Sequence, residues 1–311
     1  QVQRTDLPTT LALAELAADG SASYRFYTEG TSAPAVLPGP LAGGVAPSAR
    51  AFLTGSLGLV LEPMASTLEA VLLAVPADRI VMLDPNARPS ITRDPETWRA
   101  RMARVMARAD IVKASAEDLE YLRPGEALEA SAAWVKAQGP RVVLVTDGSR
   151  PVRVVTEEGT ELVVAPPVDV VDTVGAGDTF GGAFLACLVH AGVGPDGLRD
   201  AATVLRAARF AVRASAAVCA RAGANPPTLA DLEFGPSSPT GRCLRLVVEN
   251  DALGAPNRIY LAEIDEETGL VVNTYLIPAV AVPSNVTPFG APPAPAVALP
   301  PVHAEAIEDD E

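Results

Sequence analysis

The sequence predicts an α/β fold in which a mostly parallel sheet is flanked by helices. Between residues 51 and 223, short β-branched apolar runs alternate with longer runs of helical length. This alternation is typical of repeated strand–helix units, whose strands pair in parallel. Several of the short runs end in polar residues, as expected where parallel strands meet a ligand. With 311 residues, 49% of them hydrophobic, the chain is long enough for one or two globular domains.

Composition narrows the classes of partner. The net charge of −14 disfavours a polyanionic partner, so we predict no binding to nucleic acid. No apolar run reaches the about 18–20 residues that a membrane span needs, so we predict no membrane partner. The cysteines Cys187, Cys219 and Cys243 show neither metal-ligand spacing nor a disulfide framework. They favour a reducing compartment, and we predict the cytoplasm.

The first predicted elements are a hairpin, a loop and a strand–helix–strand unit. Residues 9–16 and 21–27 are rich in strand formers and flank a turn at residues 18–20, which predicts a β-hairpin. Residues 37–47 are rich in Pro, Gly and Ala and predict a loop. A short strand, an amphipathic helix and a buried strand follow at residues 51–56, 64–75 and 80–83.

The next predicted element is a helix over residues 95–109. Arg101, Arg104 and Arg108 recur along one side of it. Such a stripe could contact nucleic acid, but the acidic chain and the lack of interleaved aromatic residues favour a solvated side. Further strands are predicted at residues 111–113 and 141–145, a hairpin at 152–164, and helices at 125–136, 180–190 and 198–222. Gly223 is predicted to be the C-cap of the last helix.

The most informative stretch is residues 172–179, where a glycine-rich turn follows an apolar segment and opens a helix. At such a turn, the amides of Gly175, Ala176 and Gly177 and the positive end of the helix dipole favour a phosphate or an oxyanion. Asp178 lies in the first turn of that helix. A carboxylate repels phosphate, so its presence is explained if it takes a proton from an attacking hydroxyl. The alternative is that Asp178 only complements the helix dipole.

Two common nucleotide motifs are excluded by spacing. No run of the P-loop form Gly-x4-Gly-Lys-Ser/Thr occurs in the chain. The dinucleotide fingerprint needs a third glycine three residues after the second, and Phe180 occupies that position. A dehydrogenase is therefore disfavoured.

Three further polar groups follow predicted strands. Asn86 and Arg88 come after the strand at residues 80–83, and Arg88 could grip a phosphate with two hydrogen bonds. The alternative is a proline-bounded turn with Asp84 as a cap. Ser115 and Asp118 have the spacing of a helix capping box, which does not exclude a second role. A third turn follows the strand at residues 141–145 and contains Thr146, Gly148 and Ser149.

The run Asp-Thr-Val-Gly-Ala-Gly-Asp-Thr-Phe at residues 172–180 resembles the C-terminal signature of the ribokinase-like (PfkB) carbohydrate kinases. Residues 4–234 resemble the fructokinase-like branch of that family. The resemblance implies a ribokinase-like three-layer αβα sandwich that transfers a phosphoryl group from ATP to a sugar hydroxyl. It implies that Asp178 is the catalytic base. The Gly175, Ala176 and Gly177 amides would hold the transferring phosphoryl group.

The resemblance also assigns ligands to the other positions. Asn86 and Arg88 would face substrate and phosphate. Ser115 and Asp118 would order Mg²⁺, usually through water. Thr146, Gly148 and Ser149 would lie beside the nucleotide. A monovalent cation such as K⁺ would bind near the glycine turn, held by Asp172 and by the carbonyls of Val174, Val218, Arg221 and Gly223.

One part of the family pattern is missing from the match. Ribokinase-like chains carry a Gly-Gly-rich segment before the position that matches Arg4, so we expect a chain that is N-terminally truncated with an incomplete lid. Two functions stay open. One is a sugar kinase, and the other is a catalytically inactive nucleotide-binding or interaction module, or a fragment that needs a partner chain. Lids of this family often form dimer interfaces, which leaves a homodimer open. We expect a kinase domain over residues 1–235 and a linker, a small β-hairpin unit and an acidic Pro/Ala-rich tail over 236–311.

Overall fold

The structure is a computed structural model that describes residues 4–16, 22–37, 46, 48–228, 231–232, 242–250, 256–265 and 271–276. Within it, β1 (Leu11–Leu16) and β2 (Ala22–Tyr27) pair antiparallel and confirm the predicted hairpin. The turn predicted at residues 18–20 lies outside the described residues, as do most of the 37–47 loop, the linker at 235–241 and the C-terminal tail.

A six-stranded sheet is the centre of the described structure. Its strands, in spatial order, are β3 (Ala51–Gly55), β4 (Ile80–Asp84), β5 (Ile111–Ser115), β6 (Val142–Asp147), β7 (Arg150–Val155) and β8 (Thr160–Val163). The first four strands pair in parallel, and β7 and β8 extend the sheet antiparallel. The prediction of a mostly parallel sheet is therefore confirmed.

Helices cover both faces of this sheet. One face packs against α1 (Met64–Leu73), α2 (Pro95–Arg108), α3 (Ala116–Leu122) and α4 (Leu128–Ala137), and the other against α5 (Ala176–His190) and α6 (Ala201–Cys219). Successive residues of β4 alternate between the two cores, with Val81 in the first and Met82 in the second. Because successive strand side chains point to opposite faces, a fully apolar strand contributes side chains to the cores on both faces of the sheet. This is the predicted three-layer αβα sandwich.

The C-terminal region contains a third, separate sheet. Strands β9 (Arg242–Asn250), β10 (Pro256–Asp265) and β11 (Val271–Leu276) form a three-stranded antiparallel sheet with β10 in the middle. The alternating runs in this region predicted a small β-hairpin unit, and the structure adds one strand to it.

One predicted boundary near the glycine turn is wrong, the C-cap of the last helix at Gly223. The apolar segment before the turn leaves the sheet when β8 ends at Val163, and Val164 and Val170 are 72% and 63% exposed. Helix α6 ends at Cys219 with Ala220 as its C-cap, so Gly223 lies four residues beyond the helix. Gly223 has the left-handed backbone that is typical of a C-cap glycine (φ 70°), but it lies in the loop that follows the helix.

The arginine stripe of α2 is not the solvated side that the sequence predicted. The Arg101 side chain is only 8% exposed, and it contacts Glu69 at 2.8 Å and Glu62 at 2.6 Å. Arg104, which is 53% exposed, contacts the other oxygen of Glu69 at 2.6 Å. The stripe therefore joins α2 to α1 and to the segment before it. Hydrogen bonds from Arg104 and Arg101 hold the pKa of Glu69 below its ordinary value of 4.5.

None of the helices among the described residues has the length and apolar character of a membrane span.

We predict that Arg101→Met destabilises the fold by about 3 kcal/mol, the low end of the cost of removing one partner from a buried ion pair. Arg104→Met is the matched control because it contacts the same carboxylate from an exposed position, and it should cost about 0.2–1 kcal/mol. Urea unfolding followed by circular dichroism measures both. Equal costs for the two variants would contradict the buried role of Arg101.

The pH dependence of this difference has a definite sign. The lowered pKa of Glu69 means that its ion pairs contribute fully above the ordinary value of 4.5. Their contribution disappears as the pH falls through the folded-state pKa. The stability gap between wild type and Arg101→Met should therefore narrow in unfolding curves measured below pH 4.5.

Candidate active site

The candidate site lies where the parallel strands end. Gly55 pairs with Asp84, and Ser115 pairs with Thr146, so the carboxyl ends of β3 and β4 and those of β5 and β6 share one edge. β4 and β5 are also neighbours in parallel. The polar residues that the sequence placed after separate strands are thus brought to the edge where ligands bind in open α/β sheets.

The glycine turn forms the start of α5, as predicted. Gly175 is the N-cap and has a left-handed backbone, with φ 79°. A Cβ at this position would lie 3.1 Å from the Cβ of Ala224, so a side chain is disfavoured by both conformation and space. The Thr179 amide donates to the Gly175 carbonyl at 2.8 Å, which closes the first helical turn.

The three amides of the predicted anion hole are not equivalent. The Ala176 amide donates to the Thr173 carbonyl at 3.2 Å. In the part of the chain that the structure describes, the amides of Gly175 and Gly177 have no hydrogen-bond acceptor. Unpaired amides at a helix start are the groups that bind anions. Gly175 and Gly177 are therefore the better candidates for donors to a phosphoryl group.

Asp178 is exposed in the first turn of α5. Its charge is close enough to the end of β4 to raise the pKa of Asp84. An exposed carboxylate beside unpaired amides can receive a proton from a hydroxyl while the amides hold the group under attack.

Asp172 joins the glycine turn to the loop after α6. Its Oδ1 accepts a hydrogen bond from the Val174 amide at 2.9 Å, and its Oδ2 accepts one from the Gly223 amide at 2.8 Å. These two bonds hold the pKa of Asp172 below its ordinary range. The structure therefore brings together three of the residues assigned to a monovalent cation. The other two are joined at the C-terminal end of α6, where the Arg221 amide donates to the Val218 carbonyl at 3.0 Å.

Ser115 and Asp118 form the capping box of α3. Ser115 Oγ accepts a hydrogen bond from the Asp118 amide at 3.0 Å, and Asp118 Oδ2 accepts one from the Ser115 amide at 2.8 Å. Asp118 Oδ1 accepts a further hydrogen bond from the Ala87 amide at 2.6 Å. Asp118 is only 5% exposed, so its carboxylate ties α3 to the loop that carries Asn86 and Arg88.

That loop is tightly turned. Asn86 has a left-handed backbone, with φ 38°, which is uncommon outside glycine. Arg88 Nη1 donates to the Ala87 carbonyl at 3.0 Å and to the Asn86 carbonyl at 3.3 Å. Both side chains are half-buried. The loop is therefore more than a proline-bounded turn, because Asp118 and Arg88 both hold its backbone.

The third turn joins β6 to β7. Thr146 lies beside Ser115 in the sheet, and Gly148 has a left-handed backbone, with φ 54°. Gly148 and Ser149 are exposed. An ion pair of 2.7 Å between Asp147 and Arg150 closes the turn. All three predicted nucleotide residues thus lie at or just beyond the edge that carries the other candidates.

The sequence prediction missed a buried ion pair at this edge. Lys113 Nζ lies 2.8 Å from Asp84 Oδ2, and the two side chains are 6% and 13% exposed. Burial raises the pKa of Asp84, Lys113 opposes that rise, and the charges of Asp118 and Asp178 add to it. The available signal was a charged residue near the end of each of two otherwise apolar strands.

Metal ligands are sparse in the described part of the chain, where no group of three or more His, Cys, Asp or Glu residues is placed to hold a metal ion. Mg²⁺ commonly binds through one or two carboxylates together with the substrate's phosphates. Asp118 fits such an ion only through water, because each of its oxygens already accepts a backbone amide.

Known proteins resemble most of the chain. The profile of the pfkB family carbohydrate kinases matches residues 1–231. A fructokinase of Rhizobium leguminosarum bv. trifolii is 36% identical over 184 residues, which cover 59% of this chain and 56% of that protein. Probable fructokinase-3 of Arabidopsis thaliana is 31% identical over 229 residues, covering 72% and 65%. The chain thus spans 56% and 65% of the length of these two relatives.

Solved structures show the same likeness. The fructokinase from Xylella fastidiosa with bound ATP superposes with a TM-score of 0.61 at 26% identity, covering 72% of this chain and 71% of that one. The aminoimidazole riboside kinase from Salmonella enterica, complexed with aminoimidazole riboside and an ATP analog, has a TM-score of 0.60 at 26% identity, covering 70% and 69%. Together with the profile match, these likenesses show that the chain belongs to the pfkB family of carbohydrate kinases.

Proposed function

We propose that the chain transfers a phosphoryl group from ATP to a sugar hydroxyl, as a fructokinase-like kinase. One observation carries the proposal. The Gly175–Gly177 turn opens α5 with two unpaired amides, and the exposed Asp178 stands beside them at the carboxyl edge of a parallel sheet. Relatives named fructokinase and a neighbour with bound ATP support the same reaction class.

In the proposed reaction, Asp178 takes the proton of the sugar hydroxyl as its oxygen attacks the γ-phosphorus of ATP. The new O–P bond forms while the bond to the β,γ-bridging oxygen breaks, and ADP leaves with that oxygen. The Gly175 and Gly177 amides stabilise the charge on the transferring group. Positioning and electrostatics supply most of the catalysis in such reactions. The Ala176 amide would join them only by giving up its bond to Thr173.

The remaining edge residues receive supporting roles in the proposal. Asn86 and Arg88 face the sugar and the phosphates, and Thr146, Gly148 and Ser149 lie along the nucleotide. Ser115 and Asp118 would hold the Mg²⁺ of Mg·ATP through water, and that ion would neutralise part of the phosphate charge. The hydrogen bonds between Asp118 and the Asn86–Arg88 loop support this arrangement, because one carboxylate links both groups.

We further propose that K⁺ binds where Asp172 meets the loop after α6, at the carbonyls of Val174, Val218, Arg221 and Gly223. The two hydrogen bonds of Asp172 support it, because they hold those loops together. Turnover should then be several-fold higher in KCl than in the chloride of a larger organic cation at equal ionic strength. Identical turnover in the two salts would contradict the cation site.

Three expectations about context stay part of the proposal. The exposed Leu11, Leu13 and Tyr27 on the β1–β2 hairpin support a homodimer through that hairpin. The free thiols of Cys187 and Cys219 support a cytoplasmic location. The family match ends at residue 231, which supports a kinase domain that ends near residue 235 and a separate segment over 236–311.

The assignment of the base predicts that Asp178→Asn lowers kcat by about 10²–10⁴-fold, because the amide cannot accept the hydroxyl proton. A coupled ADP-release assay over a panel of hexoses, pentoses and nucleosides measures it. Asp78→Asn, at an exposed carboxylate of the β3–β4 connection, is the matched control and should leave kcat unchanged. Near-normal turnover of Asp178→Asn would remove Asp178 as the base. If the wild type binds Mg·ATP and phosphorylates none of the panel, the kinase proposal fails for this chain.

The anion hole predicts opposite effects for two glycines near or in α5. Gly175→Ala places a side chain on a left-handed backbone, which costs roughly 1–2 kcal/mol, and displaces the turn. It should lower kcat roughly 10- to 100-fold, since small displacements of catalytic groups have large effects. Gly182→Ala, with no described atom within 4 Å of the new Cβ, should stabilise the helix by roughly 0.5–1 kcal/mol and leave kcat unchanged. Thermal unfolding and the same assay test both, and a fully active Gly175→Ala would contradict the anion hole.

A further inference from the structure

The buried pair of Lys113 and Asp84 has no role in the reaction described above. The two residues lie on adjacent parallel strands, and their alternation places both on the sheet face that packs against α5. Ile111 and Met82, two residues earlier on each strand, belong to the apolar core of that face. A charged pair at the end of this core costs desolvation that an apolar pair would not.

Lys113 reaches the glycine turn. A Cβ added to Gly177 would lie 2.9 Å from Lys113 Nζ, closer than real Cβ contacts allow. A side chain at residue 177 would therefore have to displace the flexible end of Lys113, and glycine leaves room for the ammonium group. Lys113 thus lies on the sheet side of the turn whose amides face the proposed phosphoryl position.

This position is electrostatically costly in the absence of an anion. The start of α5 carries the positive end of the helix dipole, which a cation destabilises. Asp84 compensates for part of the lysine charge at 2.8 Å. An anion bound at the start of the helix would be attracted by both the dipole and the ammonium group, at the low effective dielectric of a buried site.

The carboxylates near the glycine turn, in contrast to Lys113, would repel a phosphate. Asp118 and Asp178 lie near Asp84, since the charges of both raise the pKa of Asp84. Three carboxylates would repel a triphosphate. Lys113 brings a positive charge to this cluster, through its ion pair with Asp84.

We propose that Lys113 is a positioning residue for phosphoryl transfer, anchored by Asp84 beneath Gly177. Its buried positive charge offsets the carboxylates and stabilises the phosphoryl group as charge develops on it. Its ammonium group also fixes the spacing between the turn and the sheet. This inference rests on the proposed kinase function.

A charge-free pair separates this role from a structural one. Lys113→Met alone leaves a buried carboxylate without its partner and should destabilise the fold. Lys113→Met combined with Asp84→Asn removes both charges and should recover most of the thermal stability. We expect the kcat of the double variant to stay roughly 10- to 100-fold below that of the wild type. This decrease does not exceed the one caused by removing a direct oxyanion donor. The KM for the sugar should stay within about twofold of the wild-type value. A purely structural pair would instead recover kcat together with stability.

The chain provides its own control and a readout without turnover. Lys113 and Lys136 are the two lysines of the sequence, and Lys136 lies in the last turn of α4. Lys136→Met should keep wild-type kcat. In protein labelled with ¹³C at lysine Cε, Mg·ATP should shift the NMR signal of Lys113 and leave that of Lys136 in place.

These readouts distinguish failure of this inference from failure of the proposed function. If the wild-type protein shows no turnover, the proposed kinase function is refuted. The Lys113 NMR signal would still show whether the phosphates of the nucleotide bind near the Lys113 ammonium group. If the wild type is active and the double variant has the same kcat, the proposed role of Lys113 is refuted. An unchanged Lys113 signal at saturating Mg·ATP also refutes it.

Discussion

The parallel hydrogen bonding of β3 to β6 is the constraint on which the candidate site depends. Parallel strands all end at the same edge, so the residues that follow them become neighbours although they are dozens of positions apart. The register is specific, with Gly55 opposite Asp84 and Ser115 opposite Thr146. A shift by one residue would turn the apolar faces of these buried strands over and separate Asp84 from Lys113.

Two carboxylates at this edge, Asp172 and Asp118, accept hydrogen bonds from backbone amides. Asp172 joins the glycine turn to the loop after α6, and Asp118 joins the start of α3 to the Asn86–Arg88 loop. In each case one side chain satisfies two amides from different segments, which a backbone carbonyl in a regular element could not do. The loops that would contact substrates are therefore held by hydrogen bonds to carboxylates, a class that is stronger than hydrogen bonds between neutral groups.

Charge balance at the edge follows from burial. Asp84 and Lys113 are nearly buried and paired, whereas Asp178 is exposed at the start of α5. The charges of the buried pair are held in place by their contact, while the Asp178 carboxylate is accessible to solvent.

The sequence by itself determined the order of strands and helices, the glycine turn that opens α5, and the capping box of Ser115 and Asp118, because each rests on local spacing and local hydrogen bonds. It was wrong about Arg101 and about Gly223, whose partners Glu69 and Asp172 are distant in the chain. It also could not pair Lys113 with Asp84. Tertiary structure decided these points, because burial and long-range pairing depend on which segments the sheet register brings together, and no local pattern encodes that register.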